Sequence, residues 1–415
     1  MNMNELLGFL PFLTLFVGFF FIHGFRLQKV KRQAGFNEVE TVAVTDTLVA
    51  TVAIWGTYIA ILSEGLGYFR AISFWSLLIS WGMPLLLLLA LCFQKGFLIT
   101  GWRSIHECWI KASFSKLEKI FLAVMSFWVL ILFLIAWISP PNTNDSLGYH
   151  LARVAHWAQN GSLAHYPTAY EPQLFNSIWA ELVILHSYVL AASDRLSNLV
   201  QWLSMVGCVF WGMEIAGKLG ANRTGKFLAG SLILTIPMGI LQSTSTQNDY
   251  VVAFWLMTLL YLIVRTKGSG VNWLDAPGIG AVIGLGMMTK GTYYPYAIPF
   301  LLWLFFPLLW RIGLKKTLLF STLTAVVALP FNFPFWMRNL TTYQSFIGPD
   351  WWVKEKSLGN FSPLAIFINL FRNISVHFGT PFVAINSRIS ERVVRFCEML
   401  GQAECITLND SSQYY

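Results

Sequence analysis

The chain has 415 residues and a mass of 47.0 kDa; 56% of its residues are hydrophobic and only 12% are charged, with a mean hydropathy of +0.58. A soluble domain carries about 25% charged residues, so this composition excludes a soluble globular protein. The net charge of +8 does not point to nucleic acid, because basic residues of membrane proteins gather in cytoplasmic loops. We therefore expect an all-α polytopic membrane protein with no nucleic-acid partner.

About ten segments are apolar enough to cross a bilayer, which takes about 20 residues of helix. One further stretch, 177–193, carries Glu181 and His186, and we expect it to lie flat at the interface or to cross only partway. The full-length spans are predicted at 6–26, 72–93, 120–138, 196–217, 291–310 and 317–336, and shorter ones at 47–62, 227–245, 250–264 and 276–289.

The basic residues set the orientation. The N-terminal end lacks Lys and Arg, and the five loops on one side of this arrangement hold 17 of the 28 basic residues. By the positive-inside rule that side is cytoplasmic and the N-terminus faces outward. We divide the chain into N-terminal helices with basic loops (1–119), a membrane core (120–337) that includes a large outer loop (139–195), and an outer C-terminal segment (338–415).

The outer loop holds the densest set of polar side chains in the sequence. A Pro-containing turn at 139–146 leads into a helix predicted over 147–159, which ends near Asn160 and Gly161. The helix places an acid, a phenol, an imidazole and a guanidinium near one another at the membrane surface.

At 100° per residue, Asp145, Tyr149 and His156 fall on one face of this helix, with Arg153 at its edge. A structural alternative is that Asn144 or Asp145 only caps the helix and that Arg153 and His156 meet lipid headgroups.

Three further polar groups are predicted on the outer side. Asp249 ends the run Thr244-Ser245-Thr246-Gln247-Asn248-Asp249 and either caps the next helix or binds a metal or an acceptor hydroxyl. Lys290 either extends its ammonium toward the interface or binds a lipid phosphate. Arg338 is either an interfacial anchor or a planar fork for phosphate.

Other polar residues give weaker signals. His150, His156 and His165 fit no standard zinc spacing, so no metal ligand is assigned. Glu214, within a span, either serves function or makes a structural polar contact. The five cysteines show no metal-ligand spacing, and a Cys397–Cys405 disulfide remains an alternative.

Taken together, these outer-face residues resemble the bacterial GT-C glycosyltransferases related to dolichyl-phosphate-mannose–protein mannosyltransferases and lipid A aminoarabinose transferases. The similarity covers roughly 120–410. It rests on the blocks Asp145-Ser-Leu-Gly-Tyr149-His150-Leu-Ala-Arg153, His156-Trp157, His165-Tyr166-Pro167-Thr168, Asn176-Ser-Ile-Trp-Ala-Glu181, Thr246-Gln247-Asn248-Asp249, Thr289-Lys290-Gly291-Thr292 and Arg338-Asn339.

The resemblance implies a GT-C-like bundle that moves a sugar, with inversion, from a polyprenyl-phosphate carrier to an acceptor at the outer face. Asp145 would be the general base, and Arg153, Lys290 and Arg338 would neutralise the leaving phosphate. Carried over in the same way, the remaining substrate-binding positions are Tyr149, His150, His156, Glu171, Glu181 and Asp249.

The resemblance also implies a multi-pass protein of the bacterial inner membrane whose site faces the periplasm. A glycan, a lipid or a protein remains open as the acceptor, and a divalent cation is the one cofactor alternative. Relatives usually place the acidic loop after their first span, whereas here it follows the fourth. They also continue past the point where this chain ends, so a truncated or split member is an alternative.

Two other functions stay open at this stage. A transporter or flippase of lipid-linked sugars should carry functional charges near mid-membrane, where only Glu214 qualifies. A polysaccharide polymerase or ligase would use similar acid–base chemistry with a larger, more Arg-rich outer loop.

Overall fold

In a computed structural model, the structure describes residues 3–34, 44–269, 272–356 and 362–400. Every regular element in these ranges is helical, which confirms the predicted all-α membrane fold. Eight helices are long and apolar enough to cross a membrane. They are Leu10–Ala34, Val44–Tyr68, Phe74–Lys95, Lys116–Ile138, Leu199–Lys218, Asp249–Ser269, Tyr293–Ile312 and Leu314–Tyr343.

Shorter helices fill the ends and the interior of this bundle. The predicted helix after the fourth long span is present, but it begins with a π-helical turn, Ser146–His150, that the sequence did not predict. The α-helices are Met3–Leu7, Phe97–Lys111, Leu151–Asn160, Pro172–Phe175, Trp179–Ala191, Arg223–Leu234, Pro237–Gln242, Asp275–Thr289, Asp350–Lys356, Pro363–Val376 and Val383–Met399.

The two remaining predicted spans differ from the eight long helices. The segment predicted at 227–245 is broken into Arg223–Leu234 and Pro237–Gln242, because Pro237 lacks the N–H that would continue the first helix. The segment predicted at 276–289 is one helix of 15 residues, Asp275–Thr289, about 22 Å long. Both nevertheless connect loops that were assigned to opposite sides.

The helix Trp179–Ala191, here called the buried helix, corrects one expectation. It is mostly apolar, and 11 of its 13 residues are buried, Glu181 and His186 among them, so no face is left to lie against a membrane surface. It packs against the spans Val44–Tyr68 and Phe74–Lys95. The expectation that this helix meets a membrane surface is therefore wrong, because protein encloses it on every side.

Both ends of the buried helix lie at the same end of the bundle. The backbone N–H of Ile178, just before it, donates to the carbonyl of Met288 at 2.8 Å. At its other end, Ala191 lies so close to Gly8 that a Cβ on Gly8 would be 2.8 Å from the Ala191 Cβ. In the predicted orientation, Met288 and Gly8 both lie at the outer end of the bundle. The chain therefore enters and leaves the buried helix at that end.

His186, the imidazole of the buried helix, has a partner on each ring nitrogen. The Trp81 indole donates to Nδ1 at 3.3 Å, and the Ser63 hydroxyl lies 3.0 Å from Nε2. These bonds satisfy a buried polar group and account for a histidine inside an apolar helix.

Polar side chains also pair at the opposite, predicted cytoplasmic end. Arg265 forms ion pairs with Asp46 at 3.0 Å and with Asp275, and Arg223 pairs with Glu118 at 2.9 Å. Loops assigned to one side thus meet in space. Which end faces the cytoplasm stays a prediction, as does the division of the chain at 119 and 337. Cys405 lies outside the described residues, so the disulfide alternative is not settled.

The short helix Asp275–Thr289 packs closely against Leu314–Tyr343 through two glycines four residues apart. A Cβ on Gly280 would lie 2.5 Å from the Thr324 carbonyl oxygen, and one on Gly284 would lie 2.7 Å from that of Ala328. Small residues at this spacing let two membrane helices approach backbone to backbone.

We expect Gly284→Ala to destabilise the protein by about 1–3 kcal/mol, because the added methyl meets a backbone carbonyl that cannot move aside. Gly278→Ala is the matched control, since a Cβ there meets nothing within 4 Å. Thermal unfolding in detergent, followed by tryptophan fluorescence, should give a lower midpoint for Gly284→Ala only. Equal midpoints for the two variants would contradict this packing.

Candidate active site

Three chain segments far apart in sequence converge at the outer end of the bundle, and the first contact joins Asp145 to the 244–249 run. The Gln247 amide donates to the Asp145 carboxylate at 3.3 Å, and the backbone N–H of Thr246 donates to the Ser146 hydroxyl at 3.4 Å. The outer loop and the start of Asp249–Ser269 therefore form one surface.

A second set of contacts adds the segment around Lys290. The Lys290 ammonium donates to the Asp249 carboxylate at 2.7 Å, and the Asn248 amide donates to the Thr289 carbonyl at 3.1 Å. Both members of the Lys290–Asp249 pair remain partly exposed. We call Asp145, Gln247, Asp249 and Lys290 the acid cluster.

Asp145 does not cap the helix that follows it. The Thr143 hydroxyl accepts the backbone N–H of Ser146 at 3.1 Å, and Asp145 makes no capping bond. Its side chain is exposed, and within the described part of the chain Gln247 is its one hydrogen-bond partner. The capping alternative therefore does not describe Asp145, whose carboxylate is open to a ligand.

The π-helical turn determines which side chains face inward. Its wider ring, closed by the Leu151 N–H on the Ser146 carbonyl, holds one more residue than an α-turn and rotates the following helix. His150 and Arg153 then point into the protein, while Asp145 stays outside. The predicted single polar stripe is thus wrong for Arg153, because an uninterrupted α-helix was assumed.

Arg153 is completely buried and holds the start of the buried helix. Its guanidinium donates to the carbonyls of Asn176 and Ser177, both at 2.7 Å, and to the carboxylate of Glu181. The same carboxylate oxygen pairs with Nδ1 of His150. The expectation that Arg153, His150 and Glu181 contact substrate does not fit their burial; they fix the loop against the bundle.

Tyr149 stands between this buried network and the acid cluster. Burial and the negative charges of Glu181, Asp145 and Asp249 raise the pKa of its hydroxyl well above the ordinary value, although Arg153, 5.7 Å from the ring centre, opposes them. Tyr149 is therefore a neutral phenol that can donate a hydrogen bond.

His156 and Glu171 pack the outer loop rather than join the acid cluster. The His156 ring stacks on Tyr166 with centroids 4.1 Å apart, and the Tyr166 hydroxyl donates to Gln173 at 3.0 Å. The Glu171 carboxylate accepts the Trp351 indole N–H at 3.0 Å, which ties the loop to Asp350–Lys356.

Arg338 lies in a different place from the other two predicted phosphate ligands. Its guanidinium forms a bidentate pair with Glu64 at 2.7 and 2.8 Å. The three cations expected to share one phosphate are thus separated: Arg153 is buried, Lys290 is in the acid cluster, and Arg338 faces a second cavity beside His165.

An apolar cavity of about 750 Å³ begins where the acid cluster ends. Its wall includes Gly291, the neighbour of Lys290, and Asn176 and Ser177, whose carbonyls Arg153 holds. The rest of the wall is mainly aromatic, with Phe175, Tyr294, Phe335, Trp336 and Trp352.

Sequence reasoning missed Gln247, Glu64 and this aromatic cavity. Gln247 stood inside a run already chosen for its polarity, and Glu64 was visible as an acid just past the predicted span 47–62. The sequence does not show that Gln247 pairs with Asp145 or that Glu64 pairs with Arg338, and only the folded chain brings these residues together.

The donor set does not fit a dedicated divalent-cation site. Across the described ranges, no group of three or more His, Cys, Asp or Glu side chains is placed to hold a metal ion. Of the two acids in the cluster, Asp249 already accepts the Lys290 ammonium. We therefore derive no chemical step through a metal.

Glu214, the acid inside a span, forms an ion pair with Lys226. The neighbouring helix Arg223–Leu234 thus supplies its counter-charge. This agrees with the alternative that Glu214 makes a structural polar contact. The pair lies near the end of Leu199–Lys218, beside the 218–226 loop, and not at mid-membrane, where a transporter would need its functional charge.

The fold and the site together define a class: a helical membrane protein with an exposed acid at one end of its bundle, beside an apolar cavity. The family model for dolichyl-phosphate-mannose-protein mannosyltransferases, of the GT-C superfamily, matches residues 182–337. The resemblance seen in the sequence is confirmed over that region, and the match supports a membrane glycosyltransferase. It contains Asp249 and Lys290 but not Asp145. No curated protein and no solved structure matches the chain.

We expect Arg153→Met to destabilise the fold by about 3–5 kcal/mol, since it leaves the Glu181 carboxylate buried without its strongest partner. Arg103→Met is the control, because Arg103 is exposed on the helix Phe97–Lys111. The measurement is the thermal midpoint of the purified protein in detergent. An Arg153→Met protein as stable as Arg103→Met would show that the network does not support the fold.

Proposed function

We propose that the protein is an inverting glycosyltransferase that moves a sugar from a polyprenyl-phosphate carrier to an acceptor hydroxyl at the outer face of the membrane. The observation that carries this proposal is the exposed Asp145 carboxylate, free of any capping role and oriented by Gln247 beside a neutral phenol and an ammonium group. The family match over residues 182–337 supports the same reaction class.

Asp145 acts as the general base in this reaction. The acceptor hydroxyl gives its proton to the Asp145 carboxylate while its oxygen attacks the anomeric carbon from the face opposite the phosphate. The bond from that carbon to the phosphate oxygen breaks, and the polyprenyl phosphate leaves with the electron pair. A well-placed base contributes about 10²–10⁴ in rate.

Lys290 stabilises the charge that grows on the leaving phosphate. Its ammonium is partly exposed and is held by Asp249, which keeps the cation in place before the donor arrives. The Tyr149 hydroxyl, neutral at working pH, adds a hydrogen-bond donor to the same region. Arg153 serves by fixing the loop, since it has no access to the phosphate.

The aromatic cavity beside Lys290 suits the isoprenoid part of the donor. Its volume of about 750 Å³ is in the range of ligand pockets, and its wall is largely apolar. A phosphate near Lys290 would leave the attached lipid chain entering the cavity past Gly291. The donor would then lie with its charge among polar groups and its chain in an apolar groove.

The outer, periplasmic orientation in a bacterial inner membrane is part of the same proposal. It is supported by the distribution of basic residues and by the meeting of all three cluster segments at the predicted outer end. A lipid-linked donor is the suitable sugar source on that side, where nucleotide sugars are normally absent.

We expect Asp145→Asn to lower sugar transfer by about 10²–10⁴, because the amide cannot accept the acceptor's proton. The assay uses the protein in liposomes with a panel of polyprenyl-phosphate sugars and measures released polyprenyl phosphate, with and without EDTA. Asp194→Asn is the control, as Asp194 is another exposed outer-loop aspartate.

Transfer by Asp145→Asn at the wild-type rate would remove the assigned role. Movement of the lipid-linked sugar across the bilayer without release of the phosphate would instead support the transporter alternative. Loss of release in EDTA alone would show that a divalent cation is required.

We expect Gly291→Leu to raise the KM about tenfold for an undecaprenyl-phosphate sugar, which equals the loss of about two buried CH₂ groups of the lipid. A Cβ on Gly291 meets nothing within 4 Å, so the side chain enters the open cavity without disturbing its wall. A methyl-phosphate sugar, which has no lipid chain to pass Gly291, should keep its wild-type KM. Equal effects on both donors would contradict the placement of the chain.

A further inference from the structure

A second cavity lies at the outer end, lined by polar residues that the reaction above does not use. Its volume is about 560 Å³, in the range of small-molecule sites. Its walls come from the end of Val44–Tyr68, the outer loop at 162–165 and the end of Leu314–Tyr343. The side chains that matter here are Glu64, Tyr68, Arg70, His165, Arg338 and Thr342.

The charges of this cavity favour an anionic ligand. Glu64 and Arg338 neutralise each other through their bidentate pair. Burial and the Arg338 charge lower the pKa of His165 to about 4, so its ring is neutral at pH 7. Arg70 is exposed and forms no ion pair with any described residue, which leaves the cavity with one positive charge.

The remaining lining groups suit hydroxyls and a sugar ring. The Thr342 hydroxyl bonds Nδ1 of His165 at 2.7 Å, and Ser162 and Thr341 add two more hydroxyl groups to the wall. At the rim, the Tyr68 ring is 83% exposed and offers a flat apolar face. The wall thus combines hydrogen-bonding groups with an aromatic face, unlike the apolar cavity beside Lys290.

Arg70 is held at the rim by its backbone. Its φ of +52° is in the left-handed region, where residues other than glycine are uncommon. The turn packs on Gly161, where a Cβ would lie 3.0 Å from the Arg70 carbonyl oxygen. Arg70 and Gly161 both adopt positive φ. The turn after Val44–Tyr68 and the turn after Leu151–Asn160 pack against each other at this contact.

The cavity and the acid cluster share one wall. Next to His165, the Tyr166 hydroxyl donates to Gln173, whose own amide donates to the Gly148 carbonyl at 2.7 Å. Gly148 belongs to the π-helical turn that begins directly after Asp145. The outer loop therefore borders the cavity on one side and carries the acid on the other.

We propose that this cavity is an acceptor subsite for an acidic saccharide, whose acid group pairs with Arg70 and whose hydroxyls meet Glu64, Arg338 and the threonine hydroxyls. The inference rests on the proposed transferase function and adds the chemical class of the acceptor. A glycan that is held here by its acidic residue and extends past the edge of the outer loop presents another hydroxyl to Asp145.

The test is the binding of trigalacturonic acid to the purified full-length protein in detergent, measured by calorimetry without any donor. We expect Arg70→Gln to weaken binding at least tenfold, and Arg70→Lys to keep most of it because the charge remains. Arg103→Gln is the matched control, because Arg103 is an exposed arginine that does not line this cavity. Maltotriose, a neutral trisaccharide, should bind at least tenfold more weakly than trigalacturonic acid.

Two more ligands test whether the cavity binds an acidic sugar or only an anion. Glucose 6-phosphate tests a phosphate carried on a sugar, and inorganic phosphate tests the anion alone. Binding of either acidic sugar that depends on Arg70 supports the proposal. It is overturned by undetectable binding of both, by equal binding of maltotriose, by inorganic phosphate binding as tightly as the sugars, or by an Arg70→Gln protein that binds as wild type.

The liposome assay distinguishes this inference from the proposed function. Asp145-dependent release of polyprenyl phosphate without saccharide binding would remove only the acceptor subsite. Saccharide binding without any sugar transfer would remove the transferase proposal and leave a saccharide-binding cavity.

Discussion

The charge pair between Arg153 and Glu181, completely removed from solvent, is the interaction on which the outer end of this protein depends. Two charges in a low-dielectric interior cost free energy unless each is paired and hydrogen-bonded, and here one guanidinium also satisfies the carbonyls of Asn176 and Ser177. Those two residues are part of the wall of the apolar cavity. An electrostatic requirement inside the bundle thus sets the position of part of the cavity wall.

The need of a buried charge for partners also explains why the basic residues have different roles. A buried guanidinium that holds backbone carbonyls cannot also meet a lipid phosphate, so Arg153 shapes the site while Lys290 faces it. Arg338, held by Glu64, belongs to a separate polar cavity. By residue type these three cations look equivalent. Their burial and their partners show that Arg153 holds backbone carbonyls, Lys290 lies in the acid cluster and Arg338 lines the polar cavity.

Much of the fold was predictable because membrane spans follow from length and hydrophobicity, and the outer loop was found because Asp145, Tyr149 and their neighbours stand out in an apolar chain. The side-chain directions were not predictable. One π-helical turn at 146–150 rotates Arg153 inward, and no rule of spacing reveals it. The burial of Trp179–Ala191 was also missed, since Glu181 looked like an exposed acid until its partners were known.

The position of the buried helix has a consequence for biosynthesis. The backbone bond between Ile178 and Met288 can form only after about a hundred further residues have been made, whereas the spans Val44–Tyr68 and Phe74–Lys95, on which Trp179–Ala191 also packs, precede it in the chain. A chain halted before Asp275–Thr289 lacks Lys290 and the part of the apolar cavity that follows it, so the candidate site is completed late in synthesis.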